Sequence, residues 1–212
     1  MSATTVPAPV TADAFYRFAS RTRARMELVR GEVRTFPYCS AVHGVVSGRV
    51  LARLSACGRA EGDGWVVGGS AGFHPPIAGD VTDTVRAADA AFVRRARMPV
   101  LPHGFAHLAP DLAVEVLEPA DTASDLMERM EDHFAAGTQL FWIVDPRRRR
   151  VAVHAPNAPM RLLREHDTLE GALVLPGLTI PVAALFQGMP DEPVRRPDGP
   201  PGAAAADTAR DG

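Results

Sequence analysis

The sequence predicts a single mixed α/β domain, and three observations support that class. Short apolar runs of strand length follow one another before a helix intervenes, unlike a strict alternation of strands and helices. Longer runs with apolar residues at helical spacing separate these groups of strands. The chain has 212 residues, of which 46% are hydrophobic and 23% are charged, so it can bury a core without disulfide or metal staples.

The folded domain is expected to span residues 11–187. Residues 1–10 are rich in Thr, Pro and Ala and indicate a flexible arm. Residues 188–212 carry Pro, Gly, Ala and charged residues but few large apolar side chains. Burial in that segment could not offset the entropy of ordering it, so a disordered tail is predicted.

Caps, turns and periodicity define the elements of the N-terminal half. Thr11 is a candidate N-cap for a short helix, and Gly31 divides a strand-like segment in two. The predicted elements are a helix over 12–18, two strands within 26–36, a helix over 42–54, a turn over 58–64 and strands over 66–73 and 85–94.

The C-terminal half is predicted to contain one helix between groups of strands. Thr122, with Asp125 three residues later, resembles a capping box, and Gly137 closes the helix. The predicted elements are a helix over 122–136 and strands over 112–117, 140–145, 151–154, 162–165 and 173–180.

Charge and composition exclude several classes of function. The formal net charge is −2, which argues against coating nucleic acid by bulk charge but leaves room for a local basic groove. All 23 basic side chains are arginine, so no Schiff-base or P-loop lysine is available. No apolar run is long enough to cross a membrane and no signal peptide is indicated, so the cytoplasm is the expected location.

Cysteine and histidine spacing gives little indication of a structural metal. Cys39 and Cys57 do not form a ligand motif, so neither a disulfide framework nor a zinc ribbon is expected. His103 and His107 are four residues apart, but Pro102 and Gly104 argue against a helix that would bring the two histidines together.

Two acidic residues lie within otherwise apolar predicted strands. Glu115 shares one face of its strand with Ala113 and Leu117, and Asp89 lies among alanine and valine residues. A buried carboxylate either becomes neutral or finds a cation, so adjacent strands would make an anionic pocket suited to Mg²⁺ or Mn²⁺. The alternative is that each acid pairs with an arginine or faces solvent at a strand end.

The helix predicted over 122–136 adds a cation near these acids. Asp125, Arg129 and His133 form a row with i, i+4 and i+8 spacing along one edge of its apolar stripe. From that edge Arg129 can reach towards the strand of Glu115. The alternative is an ion pair between Arg129 and Asp125 on the helix surface.

The order and spacing of several motifs resemble the Uma-two family of bacterial restriction endonucleases, within the PD-(D/E)XK nuclease superfamily. The resemblance covers about residues 20–185 and is strongest in the acid-bearing strand, the helix ending in Gly137 and the strand that follows. The motifs are ELVRGE (27–32), AADAAFV (87–93), DLAVEVLEP (111–119), FAAG (134–137) and LFWIVDPRRRRVAVH (140–154).

This resemblance implies a restriction-endonuclease-like mixed sheet flanked by helices, with extra antiparallel strands. It implies that Asp89 and Glu115 bind Mg²⁺ or Mn²⁺, with the Val116 carbonyl as a further candidate ligand. Such a metal would polarise a phosphodiester and activate water, so the implied partner is nucleic acid, with DNA favoured. A homodimer is left open as the assembly state.

The chain departs from the family pattern at the position of the superfamily lysine. Leu117 stands where that lysine would follow Glu115, and Arg129 stands where it often occurs on the next helix. Arg129 keeps the charge and is the candidate electrophilic helper, although it cannot become neutral. The alternative is a catalytically degraded member that binds nucleic acid or a protein partner without cutting.

Further polar residues are candidates for the border of the site. Glu27 and His43 match positions that are often polar in the family, although they could equally be a turn acid and a helix-start histidine, and His133 stands where the family's helix often has tyrosine. Glu118 could add another acid, but facing solvent is favoured. The arginines at 94, 95 and 97 and at 147–150 could touch a nucleic-acid backbone or simply be solvated.

Overall fold

A computed structural model describes residues 9–22, 24–60, 64–77, 79 and 81–189. The predicted arm (1–10) and tail (188–212) therefore lie outside the described residues, apart from two residues of each. The elements in chain order are α1 (Ala12–Ala19), β1 (Arg25–Val29), β2 (Glu32–Phe36), α2 (Ala41–Ala60), β3 (Gly64–Gly68), β4 (Gly72–Phe73), β5 (Arg86–Ala87), β6 (Ala90–Arg94), β7 (Leu112–Val116), α3 (Ala123–Ala135), β8 (Leu140–Asp145), β9 (Arg150–His154), β10 (Arg161–Arg164), β11 (Thr168–Glu170), β12 (Thr179–Pro181) and α4 (Ala183–Phe186).

A six-stranded mixed sheet forms the centre of the domain. Its strand order is β10-β9-β8-β7-β6-β3, and its smaller companions are the antiparallel pairs β1-β2, β4-β5 and β11-β12. Strands β7 and β8 run parallel, whereas β6 and β7 run antiparallel. The predicted class, a mixed sheet flanked by helices with extra antiparallel strands, is confirmed.

Helices cover both faces of this sheet. On one face α2 contributes Val46, Val50 and Leu54 to a core that also contains Trp142 and residues of α4. On the other face Met130 of α3 packs with alanines and aromatic residues of the sheet. Strand β7 is buried along its whole length because both faces are covered, which explains its nearly continuous apolar sequence.

The N-terminal elements form as predicted from local chemistry. The Thr11 side chain accepts a hydrogen bond from the Ala14 backbone and caps α1. Arg30 and Gly31 both have positive φ, at 49° and 80°, which is the geometry of a two-residue hairpin turn between β1 and β2.

The prediction of one continuous strand over 85–94 is wrong. Strand β5 pairs with β4, whereas β6 pairs with β3 and β7, so Ala88 and Asp89 form a break between two sheets. The predicted strand over 66–73 is divided in the same way because Gly69 and Ser70 adopt positive φ angles of 71° and 61°.

Two other boundaries also differ from the predictions, and two elements were not predicted. Helix α2 continues to Ala60 and takes in residues 58–60 of the predicted turn, while residues 61–63 lie outside the described part. The predicted strand over 173–180 is reduced to β12, since Ala172 and Gly177 adopt positive φ and bend the segment. Neither β11 nor α4 was predicted.

Helix α3 has the ends that the sequence predicts. The Thr122 hydroxyl oxygen accepts a hydrogen bond from the Asp125 backbone at 3.1 Å. Gly137 has φ 101°, and the Thr138 backbone donates to the His133 carbonyl, which is the pattern of a Schellman motif. Within the described residues, no helix is long and apolar enough to cross a membrane.

Candidate functional site

Strand pairing brings the two predicted acids together. Ala90 is opposite Val114 in the antiparallel pairing of β6 with β7, so Asp89 and Glu115 occupy adjacent positions on neighbouring chain segments. The Asp89 backbone donates a hydrogen bond to the Val114 carbonyl at 3.1 Å, which continues the pairing beyond the end of β6. The two carboxyl groups are buried, with Asp89 6% and Glu115 2% exposed.

Three donors surround the Asp89 carboxylate. Oδ2 accepts a hydrogen bond from the Val116 backbone at 2.8 Å, and His43 Nε2 lies 3.0 Å from the same oxygen. Oδ1 accepts from Arg25 Nη2 at a longer distance of 3.4 Å. Asp89 is therefore fixed by groups from α2, β1 and β7, while Oδ1 is the less firmly held oxygen.

Glu115 is less completely satisfied than Asp89. Its Oε2 accepts a hydrogen bond from Arg129 Nη1 at 2.7 Å, but buried Oε1 has no partner among the described residues. Burial raises the pKa of Glu115 to about 8, with repulsion from Asp89 adding to the rise and Arg129 opposing it. A buried carboxylate oxygen without a donor is the feature that a bound cation would satisfy.

Arg129 leans from α3 towards the sheet, as predicted. Besides Glu115, its Nε lies 4.0 Å from Glu27 Oε2, and the guanidinium lies over the Phe36 ring at 5.3 Å. Burial opposes its charge, but the carboxylates of Glu115 and Glu27 outweigh that effect and hold the pKa of Arg129 above its ordinary value. The alternative pairing with Asp125 does not occur, since the Asp125 carboxylate accepts from the Thr122 hydroxyl.

Glu27 belongs to an ion-pair network at the border of the site. Arg86 Nη1 donates to Glu27 Oε2 at 2.9 Å, and Arg86 Nε donates to Asp132 Oδ2 at 2.8 Å. All three side chains are buried. Arg86 was not among the site residues predicted from the sequence, although a charged residue within a predicted apolar strand indicates a buried ion pair.

The two candidate border histidines have different surroundings. His43 lies at the start of α2, with Nε2 against Asp89 and Nδ1 3.3 Å from the Ser47 hydroxyl. His133 is buried on α3, where its Nε2 has no partner within the described part of the chain. Burial and the charges of Arg86 and Arg129 lower the pKa of His133 to about 3, so the ring is neutral.

Two residues near His43 were not assigned to the site by the sequence. One ligand atom each from Cys39, His43 and Glu118 lie within 4.8 Å of one another. Glu118 was expected to face solvent, but it is half-buried and its Oε1 accepts from the Ser40 backbone at 2.6 Å. Seventy-eight residues separate Ser40 from Glu118, so spacing along the chain gave no signal of this contact.

The arginine runs are largely engaged within the protein. Arg94 and Arg97 both contact Asp111, at 3.2 and 3.1 Å, and Arg95 lies over the Trp65 ring at 4.0 Å. In the second run, Arg148 and Arg150 contact Asp145. His107 packs against His74, with the two ring centroids 5.3 Å apart.

The residues present fit a divalent cation. Asp89 and Glu115 supply carboxylate oxygens, which Mg²⁺ and Mn²⁺ prefer. Among the described residues Glu115 Oε1 has no donor, and burial, together with repulsion from Asp89, makes the Glu115 carboxyl group resist ionisation.

Comparison with solved structures finds the same fold in another protein. The fold resembles the crystal structure of "a putative nuclease belonging to DUF820" from Anabaena variabilis, with a TM-score of 0.70 and 18% sequence identity. The alignment covers 84% of this chain and 98% of that protein. No curated protein matches the sequence.

Residues 12–183 match Uma2, a family described as "Putative restriction endonuclease". The match spans almost all of the expected domain, including both acids and the helix that carries Arg129. The resemblance inferred from the sequence motifs is thereby confirmed, and the chain belongs to the Uma2 family.

Proposed function

We propose that this protein is a metal-dependent endonuclease that hydrolyses phosphodiester bonds in DNA. The observation that carries the proposal is Glu115, a buried carboxylate beside a second buried carboxylate, Asp89; one Glu115 oxygen has no partner among the residues that the structure describes. A pair of carboxylates without enough local positive charge favours a hard divalent cation. Membership of the Uma2 family supports a restriction-endonuclease-like activity.

Asp89 and Glu115 would hold Mg²⁺ or Mn²⁺, which polarises a phosphodiester and lowers the pKa of an attacking water. Asp89 is held ready by the Val116 backbone and His43, so its carboxylate keeps one orientation. Glu115 must be ionised to act as a ligand, and an adjacent cation would stabilise that form.

Arg129 contributes charge and orientation in this proposal. Its guanidinium fixes Glu115 through a 2.7 Å hydrogen bond and retains its proton because the neighbouring carboxylates favour the charged form. Arg129 therefore acts as an electrophile towards the negative charge on the phosphate, and not as a base. The activating proton acceptor must come from elsewhere.

One observation favours a catalytically degraded protein that binds nucleic acid without cutting. Arg129 occupies Glu115 Oε2, while His43 and Arg25 already contact Asp89. These three contacts could stabilise the acids without a metal, and Arg129 stands where the family often has lysine. A point-like ammonium would leave more of the carboxylate accessible than the branched guanidinium does.

Cleavage of supercoiled DNA tests the proposal directly. With Mg²⁺ or Mn²⁺, we expect the wild-type protein to nick the plasmid and Asp89→Asn to reduce nicking to background, because the substitution removes a ligand charge. Asp13→Asn, on an exposed position of α1, is the matched control and should cleave like wild type. Cleavage that survives Asp89→Asn would assign the activity to another site or a contaminant.

Two further measurements separate the proposal from the degraded alternative. Calorimetry should detect Mn²⁺ uptake by the wild-type protein that is lost in Asp89→Asn. If only Arg129→Lys cleaves, and the wild-type protein does not, the arginine is a lesion and the degraded form is correct. Absence of metal uptake in both proteins would reject the catalytic proposal.

A further inference from the structure

A second group of candidate metal ligands lies at the start of α2. Cys39 and His43 flank the first turn of that helix, and Glu118 follows β7 on the other side of the group. One ligand atom from each residue lies within 4.8 Å of the other two. This group combines sulfur, nitrogen and oxygen, unlike the all-carboxylate pair of Asp89 and Glu115.

Ser40 ties the three residues together. Its backbone donates a 2.6 Å hydrogen bond to Glu118 Oε1, and its hydroxyl accepts from the His43 backbone at 3.2 Å. Cys39 is the residue directly before Ser40, so its position is fixed by the same turn. A carboxylate has two oxygens, so Glu118 can keep the Ser40 bond and offer the other oxygen to an ion.

Both ring nitrogens of His43 have oxygen partners, so a bound ion would take the place of one of them. Nε2 lies 3.0 Å from the Asp89 carboxylate and Nδ1 lies 3.3 Å from the Ser47 hydroxyl. Whichever nitrogen coordinates an ion, the other keeps an oxygen acceptor. Histidine ligands in metalloproteins commonly donate their second N–H to such an acceptor, which fixes the tautomer and the ring orientation.

The separation of the ligand atoms is compatible with tetrahedral coordination. Zinc–sulfur bonds of about 2.3 Å and zinc–nitrogen bonds of about 2.0 Å place tetrahedral ligand atoms about 3.3 to 3.6 Å apart. The three ligand atoms now lie within 4.8 Å of one another, so they would have to move by about 1 Å to reach these separations. Cys39 is exposed and Glu118 is half-buried, and the movement of Cys39 Sγ would break its 3.2 Å contact with Arg25 Nη1.

We propose that Cys39, His43 and Glu118 form a binding site for a thiophilic divalent ion, with Zn²⁺ as the fitting species. A thiolate and an imidazole select Zn²⁺ over Mg²⁺, because the hard ion prefers oxygen ligands throughout. Three protein ligands leave the fourth position of a tetrahedral ion to water. The site differs from the proposed Mg²⁺ site in its sulfur ligand, borders that site through the contact of His43 with Asp89, and does not depend on nuclease activity.

Cobalt absorption tests the site. Tag-free protein in a phosphine reductant, titrated with Co²⁺, should develop a near-ultraviolet thiolate-to-cobalt band and visible bands of tetrahedral cobalt. Added Zn²⁺ should remove the near-ultraviolet band and the visible bands, because it displaces Co²⁺ from the same ligands. Cys39→Ser should abolish the thiolate band, whereas Cys57→Ser, which changes the chain's second cysteine, should retain it.

Glu118→Gln tests the oxygen ligand independently of sulfur. Removing a residue that only orients a metal ligand weakens metal binding by about 10-fold or more. Because Glu118 is proposed as a ligand itself, Glu118→Gln should weaken Co²⁺ binding by at least that factor. Circular dichroism checks that each variant is folded. A titration without a thiolate band, a band that survives Cys39→Ser, or one that disappears in Cys57→Ser would overturn the proposal.

These outcomes are separable from those of the nuclease proposal. Asp89→Asn and DNA cleavage report on the carboxylate pair, whereas Cys39→Ser and cobalt absorption report on the sulfur-containing group. A protein that binds Co²⁺ through Cys39 but never cleaves DNA would retain this site and reject only the nuclease.

Discussion

Arg86 illustrates how much one buried residue can connect. Its guanidinium joins Glu27 on β1 to Asp132 on α3, and all three side chains are buried. Glu27 Oε1 also accepts from the Ala87 backbone at 3.1 Å. The network holds Glu27 close to Arg129, so Arg86 positions the cation of the candidate site without belonging to it.

Replacing Arg86 should therefore destabilise the protein strongly. We expect Arg86→Met to lower the free energy of unfolding by about 3–5 kcal/mol, because Glu27 and Asp132 lose a buried partner. Urea denaturation measures the change. Arg161→Met, at an exposed position of β10, is the control and should change stability by about 0.5 kcal/mol or less. Equal effects of the two substitutions would show that the network contributes nothing specific.

Single residues differ in how far the sequence predicts their partners. Arg129 could be placed because helix geometry fixes which side chains share an edge, and side chains along a strand point alternately to its two faces. The contact of Glu118 with Ser40 could not be predicted, because 78 residues separate them and only the folded sheet brings them together. Arg86 was missed because its apolar neighbours predicted a strand but not what the strand would face.

At the scale of elements, α3 carries the arginine that contacts Glu115. Its start is fixed by the Thr122 cap and its end by Gly137, so Arg129 and His133 face the sheet. The cap and the glycine are local signals, and for that reason the sequence located this helix closely. By contrast, the break at Ala88 and Asp89 depends on which sheet each half joins, and no local signal marks it.

The Thr122 cap provides the test at this scale. Thr122→Ala should lower the free energy of unfolding by about 1 kcal/mol, because the Asp125 backbone N–H loses its acceptor. Thermal or urea denaturation measures this loss. Ser124→Ala removes a hydroxyl from the same exposed turn and should leave stability within about 0.5 kcal/mol. If both variants behave alike, the cap does not stabilise the helix.

For the whole molecule, buried titratable groups determine how stability varies with pH. In the folded protein the pKa of His133 is lowered to about 3 from an ordinary 6.5, chiefly by burial. Between these values the unfolded chain binds a proton that the folded protein does not. The contribution of neutral His133 to the free energy of unfolding is therefore fully present above pH 6.5 and is lost as the pH falls towards 3. Glu115, whose pKa is raised to about 8, has the opposite effect. The folded protein keeps the Glu115 proton to higher pH than the unfolded chain does, so the free energy of unfolding falls as the pH rises towards 8.

A histidine substitution isolates the acid side of this dependence. Between pH 6.5 and 3, His133→Gln should reduce the slope of unfolding free energy by up to about 1.4 kcal/mol per pH unit. Urea titrations at several pH values provide the slope. His166→Gln, at a side chain that is 78% exposed, should leave the slope unchanged. Parallel curves for wild type and His133→Gln would show that the imidazole is not kept neutral by the fold.

The alignment of β6 with β7 has a consequence for how this chemistry could be gained or lost. Ala90 faces Val114 across the pair, and the Asp89 backbone donates to the carbonyl of that same Val114. A slip of one residue would turn one strand's side chains over and send the acids to opposite sides of the sheet. An insertion or deletion within either strand would therefore silence the centre without altering either carboxylate, whereas the long connection between the strands absorbs changes in length.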